Sequence, residues 1–180
     1  MRGGIWVLAI FAAVWGAVGV FGIGMSPVLV AIPLAISAAV LFWAMRQAPV
    51  PISEEAQARI GRLVGIWSAV EGVAIFAGVT VCQNIGAPHA VAPVIAIIVG
   101  LHFMPLARGI PVPLYYLTGA ALIATGGGAL LLSEPARMAV TGFGSAVILW
   151  VSCVALVLGK ERGLLANRAI SDPQTSVSID

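Results

Sequence analysis

Two side chains in this sequence are of types that exchange protons, and both stand where such types are costly. Glu71 lies in the middle of one apolar run, Leu63 to Val81, and His102 lies deep in the next, Ala90 to Leu106. A charge at the centre of a membrane span costs about 3 kcal/mol to insert, so an intramembrane ionisable residue marks a functional site by default and needs a partner. The run around Glu71 remains insertable. Its strongly apolar residues, among them Leu63, Val64, Ile66, Val70, Val73, Ile75 and Phe76, each return about 0.3 to 0.6 kcal/mol.

Depth makes His102 the candidate partner. At about 1.5 Å per residue, Glu71 is roughly 16 Å from the end of its run at Cys82, and His102 roughly 18 Å from the start of its own at Ala90. The two runs are joined by the short uncharged turn Gln83 to His89, and consecutive helices with short turns pack antiparallel. The side chains therefore share a level near the midplane. The helical face of Glu71, at steps of three and four, includes Val64, Trp67, Ser68, Ala74, Ile75 and Gly78, and the small residues let a neighbouring helix approach. Pro105 cannot donate to the Leu101 carbonyl, which leaves an acceptor beside His102.

Desolvation favours the neutral form of each group and mutual attraction favours the charged form, so the pair is expected to exchange protons near neutral pH. The structural alternative is that the two simply hydrogen-bond and lock their helices together. Trp15 and Trp150 fall near the same depth, whereas membrane tryptophans usually gather at interfaces. They either wall a pocket for an organic cation or aromatic ligand, or serve as large packing groups. Glu71, His102, Ser68, Trp15 and Trp150 form the candidate ligand- or proton-binding set.

The elements that must position these residues are membrane spans. Hydrophobic residues make up 61% of the 180-residue chain and charged residues 9%, against about a quarter charged in soluble domains. Mean hydropathy is +1.08. A soluble globule is excluded, and the small net charge of +2 gives no nucleic-acid footprint. At about 20 residues per span, the sequence reads as an all-α polytopic membrane protein, a six-helix bundle of three hairpins over residues 1–170, with a disordered cytoplasmic tail over 171–180.

The spans are expected at Ile5 to Phe21, Pro27 to Met45, Leu63 to Val81, Ala90 to Leu106, Val112 to Leu132 and Met138 to Leu158. The first is read as a span rather than a cleaved leader. Pro33 bends the second. Ser53-Glu54-Glu55 reads as an N-cap with first-turn acids, so a short interfacial helix is expected to feed span three. Glycines in spans one, five and six, including Gly126-Gly127-Gly128, indicate close packing, with a flexible break at the triple glycine as the alternative. A faint hairpin repeat lays Ala13-Val14-Trp15-Gly16 on Ala69-Val70-Glu71-Gly72, and Val40-Leu41-Phe42-Trp43 on Leu101-His102-Phe103-Met104.

With both termini cytoplasmic, eight of the nine basic residues fall inside and only Arg137 outside, which satisfies the positive-inside rule and fixes an even number of spans. The cell's inner membrane is the expected location. Cys82 and Cys153 are too far apart for a disulfide in this topology. No metal, phosphate-loop or nucleophile motif is present, so neither cofactor nor metal is expected.

The expected function is binding or transport of an unidentified small molecule through Glu71 and His102. The alternative is a non-transporting scaffold or accessory subunit. A weaker one is an integral membrane enzyme that modifies lipid with His102 as base. The bilayer is the expected partner. Lopsided charge disfavours an inverted dimer and leaves a parallel homo-oligomer open.

Overall fold

A computed structural model describes residues 2–46, 53–110 and 112–159. Six helices carry these residues, here α1 (Arg2–Gly22), α2 (Ala31–Arg46), α3 (Glu54–Asn84), α4 (Val91–Gly109), α5 (Leu114–Leu130) and α6 (Ala136–Leu158). The expected tail over 171–180 lies outside the described residues, as do Lys160, Arg162 and Arg168.

The first two hairpin turns are built alike. At the ends of α1 and α3, Gly24 and Gly86 take positive φ angles of 70° and 71°. The following N–H groups reach back five residues, Met25 to the Val20 carbonyl and Ala87 to that of Cys82, which satisfies carbonyls that a helix end leaves open. A proline then opens a 3₁₀ turn, Pro27–Val30 before α2 and Pro88–Ala90 before α4.

Two helices differ from their expected extents. The interfacial segment and the third span are one continuous helix of 31 residues, because Ser53 caps it, its hydroxyl accepting from the Ala56 N–H at 3.2 Å, and no proline interrupts it. That helix is about 46 Å long, more than a bilayer's hydrocarbon thickness. In contrast α5 has 17 residues, at the short end of the spanning range. It runs unbroken through Gly126-Gly127-Gly128.

Antiparallel contacts organise the bundle. α4 packs most closely on α5: a Cβ on Gly119 would stand 2.6 Å from the Gly100 carbonyl oxygen, and one on Gly126 would stand 2.6 Å from that of Pro93. Small residues therefore bring the two backbones together where larger ones cannot fit. α1 packs most extensively on α6, where Gly142 lies against the Gly19 backbone and the helix takes a π turn over Val140–Gly144. The tightest pairings thus join helices of different expected hairpins. Leu8, Ala12, Trp15, Val99, Phe103, Leu122, Leu149 and Cys153 form the core between α1, α4, α5 and α6.

The other two helices lie outside this four-helix unit. α2 rests on α1 and α6, with Pro33 against Gly16, and α3 rests on α4. Their outer faces are apolar and uncovered, with Ile32, Leu34 and Phe42 on α2 and Ile66, Val73 and Phe76 on α3 all exposed. Such surfaces are stable only against hydrocarbon or another protein. Five helices are long and apolar enough to cross a membrane.

Candidate functional site

Glu71 and His102 meet. The period of α3 decides this, since its less exposed positions recur as Ala56, Ile60, Leu63, Val64, Trp67, Glu71, Ala74, Ile75, Gly78, Val79 and Cys82. This is a single stripe at steps of three and four that lies along α4. Gly78 closes its far half, with a Cβ there reaching Ile98 and Val94 at 3.0 and 3.1 Å. On α4 the buried positions Ala96, Val99, Gly100, Phe103 and Ala107 face away from α3. His102 stands beside them on the flank towards α3.

The His102 Nδ1 lies 3.6 Å from Glu71 Oε2, and the side chains retain 10% and 14% of their free exposure. The same nitrogen is 3.1 Å from the Trp67 carbonyl oxygen. A carbonyl only accepts, so Nδ1 carries a proton and donates it to Trp67. The carboxylate distance exceeds that of a good hydrogen bond; the acid is an electrostatic neighbour of the Nδ1–H group. No hydrogen bond to Nε2 occurs among the described residues, so Nε2 is the position at which the ring can accept a second proton. The edge of the Phe103 ring flanks the imidazole, with centroids 6.0 Å apart.

The remaining candidates lie elsewhere. Ser68 is exposed, outside the covered stripe of α3. Trp15 is 5% exposed within the four-helix core. Trp150 points the other way around the bundle, its Nε1 donating to Ser37 Oγ on α2 at 2.9 Å. Trp15 thus packs within the core, and Trp150 ties α6 to α2. The acceptor beside His102 is the Trp67 carbonyl on the facing helix rather than that of Leu101 on its own.

Two polar contacts went unmarked in the sequence reading. Ser37 is 4% exposed and holds Trp150. Thr118 and Ser152 share a hydrogen bond of 2.7 Å between α5 and α6. Hydroxyl residues inside apolar runs were the available signal. Cys82 and Cys153 are buried free thiols, and no cluster of possible metal ligands occurs among the described residues.

Apolar helices, five of them long enough to cross a membrane, closely packed through glycine, make a helix bundle compatible with a membrane protein. No protein-family model matches the chain, and no curated protein or solved structure matches it either.

Proposed function

We propose that this chain is a six-span protein of the cell's inner membrane, both termini cytoplasmic, that binds or transports a small molecule by proton or cation exchange at Glu71 and His102. The observation that carries the reading is the 3.6 Å approach of the only carboxylate and imidazole found, among the described residues, far from any helix end, each largely covered between α3 and α4. Glu71 is the acceptor of the proton or cation. His102, held through Nδ1, presents Nε2 for a second proton, and an imidazolium formed there would lie beside the carboxylate. Support for a common side of both termini comes from packing, since the Cys153 thiol near the end of α6 lies 3.7 Å from the Ile5 carbonyl oxygen at the start of α1.

Glu71→Gln keeps the shape and removes the titration. In proteoliposomes it should abolish pH-dependent ligand binding or flux, with the protein still folded; unchanged pH dependence would refute the reading. A second reading, a scaffold whose polar pair only fixes helix register, draws on the Nδ1 hydrogen bond to Trp67, which joins α3 to α4 without any titration. It predicts that Glu71→Gln lowers thermal stability and changes nothing else.

A further inference from the structure

One turn from the pair, towards the end of α4, the interface between α3 and α4 opens into a cleft of about 490 Å³ lined by Leu63, Trp67, Met104, Pro105, Arg108 and Gly109. Neither Glu71 nor His102 lines it. The cleft narrows where Leu63 presses onto Gly109, a position at which any larger residue would collide. Its volume is that of a site for one mid-sized ligand.

The lining is apolar except at one point. Arg108 is exposed, is the one charged residue in the lining, and makes no salt bridge among the described residues. Arg137, in the turn before α6, is by contrast engaged, donating to the Leu132 carbonyl and pairing with Glu134 at 3.4 Å. No carboxylate lines the cleft. Around it, the outer faces of α3 and α4 carry exposed Ile66, Val70 and Leu101. An apolar slot open to the hydrocarbon, ending at an unpaired guanidinium, is complementary to an amphiphile with an anionic head.

We propose that this cleft binds one anionic phospholipid of the surrounding bilayer, its phosphate on Arg108 and its acyl chains against Leu63, Trp67 and Met104. Arginine suits the role because its planar fork can take two phosphate oxygens at once. The assignment is independent of proton exchange at Glu71, and a protein that proved to be a scaffold could still carry the lipid.

Trp67 reports directly on the occupant. The full chain is reconstituted in phosphatidylcholine vesicles containing a minor fraction of brominated phosphatidylglycerol or, in parallel, brominated phosphatidylcholine. Trp67 quenching is taken as the difference from Trp67→Phe. The wild type should prefer the anionic lipid by about fivefold, the scale of one arginine near an anionic headgroup. Arg108→Gln should bring the preference to near parity, whereas Arg46→Gln, at a residue stacked over Phe42 and away from the cleft, should leave it intact. Equal quenching by the two lipids in the wild type would overturn the proposal, as would a preference that survives Arg108→Gln or falls equally with Arg46→Gln. A preference erased by inorganic phosphate at constant ionic strength would assign Arg108 to a soluble anion and overturn it too. Native mass spectrometry supplies a readout without Trp67→Phe: the wild type should retain one phosphatidylglycerol that Arg108→Gln loses, and equal retention would count against the cleft.

Discussion

The two outer helices, α2 and α3, are fastened to the same inner unit by different chemistry. On α2 the polar contact is neutral, with the Trp150 indole donating to the Ser37 hydroxyl at 2.9 Å. On α3 it is made of groups that can ionise, an imidazole 3.6 Å from a carboxylate. The mechanical task is the same, since each contact fixes the register of a helix whose outer face is apolar and uncovered. A hydroxyl and an indole are cheap to insert, while a glutamate is among the most expensive residues to place in a span. α2 therefore demonstrates, within the same molecule, that holding an outer helix requires no ionisable group. The proposed proton or cation exchange would account for the cost borne at Glu71.

The comparison assumes that the inner four helices stand as the common support, and the largest predicted effect tests that assumption. Gly119→Leu drives a side chain into the Gly100 carbonyl and the Phe103 side chain, partly against backbone that cannot swing aside. It should cost about 3 kcal/mol and abolish cooperative thermal unfolding in detergent. A stable Gly119→Leu protein would mean that α4 and α5 do not form the support described.

Removing one member of the pair on α3 comes next. His102→Ala leaves Glu71 without its imidazole neighbour; a fully buried ion pair broken in this way loses about 3 to 5 kcal/mol. Glu71 keeps 14% of its exposure and can neutralise itself by taking a proton, so about 2 kcal/mol is expected. On α2, Ser37→Ala strands the Trp150 N–H and should cost about 1 kcal/mol. Denaturation of both variants under one detergent condition ranks them. A cost for Ser37→Ala equal to or above that for His102→Ala would erase the distinction between the two fastenings.

The sequence made one half of this comparison far more legible than the other. Depth along a helix is a one-dimensional quantity, and it placed Glu71 and His102 at one level without any coordinates. The 3.6-residue period likewise put Val64, Trp67, Ala74, Ile75 and Gly78 on the covered stripe. Ser68 has the same spacing from Glu71 but falls just beyond the edge of that stripe, a matter of helix rotation that spacing alone does not specify. Trp15 and Trp150 share the depth of Glu71 yet lie around the bundle from it, because depth says nothing of azimuth. The Trp67 carbonyl was invisible for another reason: every residue has one, and only the approach of α4 makes this one special. The Arg108 cleft is a property of two surfaces failing to meet, which no single helix records.

The most discriminating experiment has the smallest expected effect on stability. Replacing both members of the pair by leucine, Glu71→Leu with His102→Leu, removes the insertion cost of the acid and substitutes apolar contact for the polar one. Buried pairs exchanged in this way are commonly neutral or gain about 1 to 4 kcal/mol, and the flanking Trp67, Ile75 and Phe103 offer apolar neighbours. The loss of the hydrogen bond to Trp67 offsets part of any gain, since that carbonyl keeps its own helical donor. A net change within about 1 kcal/mol is expected, together with complete loss of pH-dependent ligand binding or flux. If the double leucine protein instead unfolds as readily as His102→Ala, the pair serves the fold directly, and the contrast with α2 loses its functional meaning. If it is stable and silent, the acid and the imidazole are kept for what they do, because α3 stays seated without them.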